Sequence, residues 1–143
     1  MEISNITEDD LEELSVLYQQ LIPNDVSIAS MRDVLRNNQN DSKHVVLVAK
    51  LDGKLVGSLL ATICEMLFGQ CKSFMVVEDV IVNSEYRQQG VGRDLMGRIE
   101  EHASHHNCSY IMLVTDRDRV GSQEFYKSLG YSTDEYRAFK KHL

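Results

Sequence analysis

Two acidic residues lie side by side inside an apolar, strand-like run. The run spans about residues 73–82 and reads "SFMVVEDVIV", with Glu78 and Asp79 as its charged residues. Because side chains alternate between the two faces of a strand, the spacing predicts Glu78 on the face of its valine neighbours at 76, 80 and 82, and Asp79 on the opposite face. A lone carboxylate among β-branched side chains would be desolvated and would accept a proton more readily. We therefore predict Glu78 as a general base, directly or through a water, with a structural ion pair as the alternative, and Asp79 as structural.

A glycine-containing turn, "NSEYRQQGVGRDLM", follows this run and leads into helix-like sequence. Gly90 and Gly92 lack a Cβ atom, so they can take positive φ and let a ligand approach the backbone. The first N–H groups of a helix have no partner within the helix and carry partial positive charge, which favours anions. Arg87 and Arg93 flank the glycines. The turn is therefore predicted to bind a phosphate or pyrophosphate, mainly through the main chain.

Two common nucleotide-binding motifs do not fit this turn. A Walker loop needs the pattern Gly-x-x-x-x-Gly-Lys-Ser/Thr, which the turn lacks. A dinucleotide fingerprint needs a third glycine, and Leu95 occupies that position. A plain connector, in which the glycines serve only the geometry of the turn, stays open as an alternative.

The surrounding elements predict an α+β, or mixed α/β, layer fold with helices packed on one central sheet. Thr7 and Asp10 have the spacing of a capping box at the first helix, and Tyr18 belongs to the apolar stripe of that helix. Asp52-Gly53 predicts a tight hairpin, and Gly130 a left-handed helix end. The predicted order is a strand at 1–6, helices at 6–21 and 27–38, strands at 44–50, 54–63 and 73–82, a helix at 91–106, a strand at 109–115, a helix at 120–129 and a closing strand at 131–141.

Length and composition predict a single domain over residues 1–143. The chain is 43% hydrophobic and 26% charged, with a formal net charge of −7. This charge argues against a nucleic-acid surface and is compatible with a cationic small molecule. No apolar run approaches the roughly 20 residues that span a bilayer, and the acidic N-terminus lacks a signal-peptide core, so we predict no membrane partner and a cytoplasmic protein.

The cysteines and histidines do not predict a metal site. Cys64, Cys71 and Cys108 are scattered, odd in number and without metal-ligand spacing, as expected of reduced thiols. His102 and His106 are spaced i, i+4, but a third ligand is missing from the pattern. We predict no metal.

Two motifs resemble those of the GNAT superfamily of N-acetyltransferases. "EDVIVNSEYRQQGVGRDLM" is similar to the superfamily's acyl-coenzyme-A motif, in which Arg/Gln-x-x-Gly-x-Gly/Ala follows a strand. The second motif, an aromatic-Tyr helix that ends in Gly-aromatic, is matched by "EFYKSLGY". The resemblance covers residues 3–140 and includes the order of the elements. It implies a GNAT-like mixed sheet of about six to seven strands with about four helices on its faces.

The resemblance also implies roles for individual residues. The strand before the turn would pair with the pantetheine arm of acetyl-CoA, and the turn amides would bind its pyrophosphate. Tyr126 would donate a proton or a hydrogen bond to the coenzyme sulfur, with core packing of Phe125-Tyr126 as the alternative. Ser122 stands where the superfamily often has a coenzyme-contacting Asn. The coenzyme-binding residues implied in this way are Val80, Ile81, Val82, Arg87, Gln88, Gln89, Gly90, Val91, Gly92, Arg93 and Ser122.

We therefore expect an N-acetyltransferase that uses acetyl-CoA as co-substrate and a primary amine of a small cationic metabolite as acceptor. The amine would attack directly in a ternary complex, as is usual in the superfamily, so no cysteine nucleophile is needed. A protein or peptide N-acetyltransferase and a non-catalytic coenzyme-A-binding module stay open as alternatives. The oligomeric state is also open, with a homodimer as one option.

Overall fold

One sheet of five strands organises the chain in the computed structural model, which describes residues 1–23 and 25–143. The sheet order is β1-β2-β3-β4-β5, and the pairs β1-β2, β2-β3 and β3-β4 are antiparallel. Two compact units, Met1–Met112 and Leu113–Leu143, make up the chain. The strands are β1 (Glu2–Asn5), β2 (His44–Leu51), β3 (Lys54–Cys64), β4 (Ser73–Val82) and β5 (Cys108–Leu113).

Four α-helices accompany this sheet in the described part of the chain. They are α1 (Leu11–Tyr18), α2 (Ile28–Asn38), α3 (Val91–His105) and α4 (Val120–Ser128), with short 3-10 helices at Glu8–Asp10 and Ser84–Tyr86. The predicted mixed α/β class and the order of the elements up to α4 are confirmed. The strand count is lower than the predicted six to seven.

The predicted closing strand at residues 131–141 was wrong. The structure assigns no strand to this segment. Tyr136 and Phe139 are 73% and 92% exposed. Alternating apolar residues stabilise a strand only when a neighbouring strand and a core receive them, and these two side chains have no such burial.

The start of the first helix follows its predicted capping box. The Thr7 N–H donates to Asp10 Oδ2 at 2.8 Å, and the Thr7 hydroxyl donates to the same oxygen at 2.9 Å. Asp10 is buried and also forms an ion pair with Lys50 of β2. Burial alone would raise the pKa of Asp10, but the hydrogen bonds from Lys50 and Thr7 together lower it. The same carboxylate therefore caps the helix and ties it to the sheet.

A glycine in β3 sets the distance between α3 and the sheet. A Cβ atom on Gly57 would lie 2.9 Å from Val91 Cγ1 and 3.1 Å from Leu95 Cδ1. Val91 and Leu95 are buried residues of the first turns of α3. The N-terminus of α3 is thus held close to β3 because Gly57 has no side chain.

The loops joining these elements contain the predicted glycine turns. Asp52 and Gly53 both have positive φ, +50° and +80°, in the two-residue hairpin between β2 and β3. Gly130 follows α4 with φ of +94°. Both predictions from sequence, the Asp-Gly hairpin and the left-handed helix end, are confirmed.

Candidate active site

A β-bulge interrupts β4 directly after Glu78. Ser58 of β3 pairs with Ile81, and Leu60 pairs with Glu78, so Leu59 faces two residues, Asp79 and Val80. Asp79 has φ of +52°, a left-handed conformation that Asp tolerates better than most residues. A bulge leaves one residue of the longer strand outside the regular ladder. The main chain at Asp79–Val80 is therefore free of the strict pairing of its neighbours.

The bulge changes which side chains share a face. Directly paired residues lie on the same face, so Glu78 lies with Leu60, and Ile81 lies with Ser58 on that face as well. Val82 pairs with Gly57 on the opposite face. The predicted unbroken alternation, which placed Glu78 and Val82 together, was wrong because the extra residue shifts the phase of the strand.

Glu78 is exposed, and so is Asp79. The predicted desolvation of Glu78 among valines was wrong, because the phase shift and the open sheet face leave the carboxylate in contact with solvent. Glu78 nevertheless lies directly before the bulge. An exposed carboxylate next to a bulge can still accept a proton from a bound amine, directly or through a water.

β5 contacts the beginning of β4. The Ser109 hydroxyl donates to Ser73 O at 3.2 Å, and the rings of Tyr110 and Phe74 stack with centroids 5.1 Å apart. From the first contact to the second, the residue number rises by one in both strands, as it does when two strands run parallel. This direction agrees with a mixed sheet. β5 has 6 residues and β4 has 10. Val80, Ile81 and Val82, at the far end of β4, therefore extend past the shorter strand.

The turn after β4 is shaped by its own hydrogen bonds. Arg87 Nε donates to Val82 O at 3.1 Å, and Gln89 Nε2 donates to Glu85 O at 3.2 Å. Gln88 has φ of +61° and Gly90 has φ of +87°. These left-handed residues reverse the chain so that it enters α3 directly.

Helix α3 begins directly after this turn. Asp94 N–H donates to Gly90 O at 3.0 Å and closes the first helical turn. The preceding amides, of Val91, Gly92 and Arg93, come before that first bond. Gly90 and Arg93 are exposed, and Gly92 is half-buried. The turn thus offers consecutive main-chain donors at the positive end of a 15-residue helix.

Tyr18 of α1 lies beneath the bulge. Its hydroxyl hydrogen-bonds with Ser58, which is fully buried and itself donates to Leu47 O at 3.0 Å. Burial, and then the negative charge of Asp79, raise the pKa of Tyr18 to about 12, against a smaller opposing effect of the Ser58 hydrogen bond. Tyr18 therefore stays a neutral phenol and a hydrogen-bonding group at the side of the bulge that faces α1.

In the second unit, α4 contains the predicted tyrosine. Tyr126 is half-buried, with its ring centroid 5.2 Å from that of Phe125 and 6.1 Å from that of Tyr131. Tyr131 N–H donates to Tyr126 O at 3.1 Å and closes the helix end. Ser122 lies one turn earlier and is half-buried. The roles of Tyr126 and Ser122 toward a coenzyme stay predictions.

The sequence profile of the acetyltransferase (GNAT) family matches residues 9–131. The chain belongs to the GNAT acetyltransferase family. The match includes both motifs quoted from the sequence and most of both structural units. The chain is accordingly an acetyltransferase. GNAT acetyltransferases use acetyl-CoA as acetyl donor.

Known relatives and solved structures share this GNAT fold over nearly the whole chain. The aminoglycoside N(6′)-acetyltransferase type 1 of Salmonella enteritidis is 26% identical over 140 residues, 94% of each chain. The structure of AAC(6′)-Iy with the bisubstrate analogue CoA-S-monomethyl-acetylneamine has a TM-score of 0.81 at 24% identity, over 99% of this chain and 97% of the other. A transcriptional regulator of Bacillus halodurans C-125 has a TM-score of 0.86 at 26% identity, over 99% of each chain.

Two further observations concern this GNAT chain as a whole. Among residues 1–23 and 25–143, no group of three or more His, Cys, Asp or Glu side chains is arranged to hold a metal ion. No helix of the described residues is long and apolar enough to cross a membrane.

Three features of the GNAT site were missed by sequence reasoning. The bulge had one signal, an acidic pair in an apolar strand, since Asp is among the residues that tolerate positive φ. Gly57 also had a signal, because a glycine inside a strand pattern often marks a close approach of backbone or side chains. Tyr18 had none: its helical spacing placed it in an apolar stripe, and nothing in that spacing distinguishes a packed ring from a hydrogen-bonded hydroxyl.

Proposed function

We propose that this GNAT acetyltransferase transfers the acetyl group of acetyl-CoA to a primary amine of a small cationic metabolite. The observation that supports this most is the bulge in β4, which follows Glu78 and precedes the glycine turn. It offers a proton acceptor and an unpaired stretch of main chain within three consecutive residues, Glu78 to Val80. The coenzyme arm would run along the end of β4, and its pyrophosphate would sit on the first amides of α3.

The proposed chemistry begins with the acceptor. An alkylammonium with a pKa of about 10 must lose a proton before it can attack, which costs roughly 4 kcal/mol at pH 7. Glu78 accepts this proton, directly or through a water. The amine nitrogen then attacks the thioester carbon while the oxygen is stabilised by a main-chain N–H near Val80.

Collapse of the tetrahedral intermediate breaks the carbon–sulfur bond and releases the coenzyme thiolate, and the attacking nitrogen loses its second proton to this thiolate or to water, which gives a neutral amide and a free thiol. Tyr126 would hydrogen-bond this thiolate or protonate it. A free phenol has a pKa of about 10 and a free thiol of about 8.5, so full proton transfer from the phenol is uphill and a hydrogen bond is the main contribution. The amine attacks directly in a ternary complex, so no acetylated enzyme forms.

Several observations support an amine acceptor and a catalytic chain. The Salmonella relative is an aminoglycoside acetyltransferase by name, and it aligns over 94% of this chain. The net charge of −7 favours a cationic acceptor. Because the family match runs from residue 9 to residue 131, we further propose that residues 1–143 act as one cytoplasmic domain.

A non-catalytic role is the second candidate, and one observation favours it. A structure with a TM-score of 0.86 to this chain is a transcriptional regulator. Such a module would bind coenzyme A at the glycine turn but would not catalyse acetyl transfer.

The test is release of free coenzyme A thiol from acetyl-CoA with a panel of primary amines, with the acetylated product identified by mass spectrometry. We expect thiol release that depends on an amine and a product heavier by one acetyl group. Tight acetyl-CoA binding without thiol release for any amine or peptide would favour the non-catalytic module instead.

A further inference from the structure

An apolar cavity of about 360 Å³ lies beside the catalytic strand in the first unit. Its walls come from α1, from α2 and from one face of β2 and β3. The volume is within the range of about 300–1,000 Å³ that is usual for small-molecule sites. Its apolar wall residues include Leu14, Tyr18, Met31, Val34, Val46 and Leu60, and the polar residues Asp25, Ser27, Ser30 and His44 also line it.

The cavity exists because α2 covers the sheet without sealing it. None of the α2 side chains is buried; Met31 and Leu35 are half-buried and Val34 is 52% exposed. Met31 packs against the core cluster, and Glu8 also ties the helix to the start of α1 by accepting two hydrogen bonds from Arg36 at 2.7 and 2.9 Å. Apolar surface facing the cavity is therefore left unburied, and an apolar occupant would remove it from water.

The cavity adjoins the proposed base through the register of the sheet. Val46 pairs with Leu60, and Leu60 pairs with Glu78, so the three side chains form one row across one face. Directly paired side chains in an antiparallel sheet have Cβ atoms about 5 Å apart. Glu78 is thus the next side chain beyond the cavity wall. Tyr18, another wall residue, lies within the electrostatic reach of Asp79.

The end of the space beside β4 is therefore acidic, and the rest of the wall is mainly apolar, with Asp25, Ser27, Ser30 and His44 as its polar residues. This arrangement suits a ligand with one ammonium group and an apolar body. A second ammonium or a hydroxylated ring placed against the apolar wall residues would lose its hydration there without a matching partner, which is costly. We infer that the preferred acceptor is a primary alkylamine or arylalkylamine whose apolar body occupies the cavity, and that a polyamine or an amino sugar is disfavoured.

This inference rests on the proposed function, since it names the acceptor class of that site. Hexylamine and cadaverine test it as a matched pair, because they have the same number of non-hydrogen atoms and differ by an ammonium in place of a terminal methyl group. We expect kcat/KM for hexylamine to exceed that for cadaverine by about tenfold or more. Equal or higher kcat/KM for cadaverine or glucosamine would overturn the inference and leave acetyl transfer to amines intact.

A variant of the cavity wall makes the test specific. Val34→Trp adds a large side chain at the cavity, and Val16→Trp adds the same side chain on α1, at a position that is 69% exposed and outside the cavity wall. We expect Val34→Trp to lower kcat/KM for hexylamine about tenfold and for ethylamine much less, and Val16→Trp to change neither. Equal losses for both amines, or equal effects of both variants, would overturn the assignment.

Two further measurements keep the inference testable if Val34→Trp does not fold or if no amine is acetylated. Met31→Ala enlarges the cavity and should raise the preference for phenethylamine over hexylamine; an unchanged ratio counts against the cavity. Binding is measured separately through the Met31 methyl NMR signal in the presence of coenzyme A. A shift with hexylamine but not with cadaverine supports the assignment of the cavity even if no amine is acetylated. The absence of acetylation would then contradict only the proposed function. No shift with either amine, together with no turnover, contradicts both.

Discussion

The proposed coenzyme side and the proposed acceptor side of the site are built from different parts of the chain. The turn at residues 87–93 offers main-chain amides, and its geometry depends on residues with positive φ such as Gln88 and Gly90. The acceptor side depends on side chains: Glu78 on the strand and the apolar walls contributed by α1, α2 and the sheet. A site formed by main-chain amides can persist through many side-chain substitutions, whereas the shape of a cavity formed by side chains depends on the particular residues that line it. We therefore expect changes on the coenzyme side to alter coenzyme affinity, and changes on the acceptor side to alter turnover and specificity.

We expect the largest effect from Glu78→Gln, on the acceptor side. Loss of the proton acceptor should lower kcat/KM at pH 7 by roughly 10²–10⁴-fold, the usual contribution of a general base. The acidic limb of the kcat/KM profile should flatten, and the penalty should shrink as pH rises because more acceptor is already neutral. Acetyl-CoA affinity, measured by calorimetry, should change little. An unaltered pH profile would move the base elsewhere.

Tyr126→Phe is the next largest change. Removing the hydroxyl should preserve fold and acetyl-CoA affinity but lower kcat by roughly 10- to 1,000-fold, because the leaving thiolate loses a hydrogen bond. Steady-state kinetics combined with circular dichroism check both parts. If kcat is unchanged and chemistry is shown to limit the rate, Tyr126 serves only in packing with Phe125 and Tyr131.

On the coenzyme side, Gly92→Val should act on binding alone. A side chain in the first turn of α3 would occupy space needed by the pyrophosphate, and the dissociation constant of acetyl-CoA should rise at least about tenfold, or ~1.4 kcal/mol. Gly97→Val is the matched control, since it lies on the same helix and a Cβ there meets nothing within 4 Å. A folded Gly92→Val protein with unchanged affinity, measured by calorimetry, would break the assignment of the turn.

The geometry of the turn proposed to bind the coenzyme was the more predictable from sequence. Its signals are local: two glycines, two flanking arginines and a helix start within a short segment, and the left-handed Gly90 is where the pattern placed it. Glu78 was predicted as a candidate base because a charged residue is unusual in an apolar strand. The surroundings of Glu78 were not predicted, because a bulge is determined by pairing with a strand that is distant in sequence. The one extra residue moves every later side chain of β4 to the opposite face of the sheet. The cavity depends on how α2 packs on the sheet, and no local sequence pattern predicts this packing.

The smallest expected effect concerns the contact between the bulge and α1. Burial, and then the charge of Asp79, hold the pKa of Tyr18 at about 12. Because this value is above the ordinary 10.0, Tyr18 contributes stability below pH 10 that is lost as pH rises toward 12. Asp79→Asn should lower the pKa of Tyr18 and so narrow the pH range over which this stability is lost. The titration is followed by phenolate absorbance, and the Tyr18→Phe variant identifies which part of the signal belongs to Tyr18.

Asp52→Asn is the matched control for that titration. Asp52 also has positive φ but lies in the hairpin between β2 and β3. It should leave the Tyr18 titration unchanged. If Asp79→Asn also leaves it unchanged, the charge at the bulge does not act on Tyr18, and the acidic end assigned to the cavity loses one of its two residues.

We propose that an amine bound beside Glu78 attacks acetyl-CoA bound along the end of β4 and the glycine turn, with both substrates present together. Initial velocities measured at several fixed concentrations of each substrate test this most directly. We expect double-reciprocal lines that intersect, and an enzyme that has no acetyl group after incubation with acetyl-CoA alone, as judged by intact-protein mass. Parallel lines together with a stably acetylated enzyme would contradict it, because they require the acetyl group to pass through the protein before the amine binds.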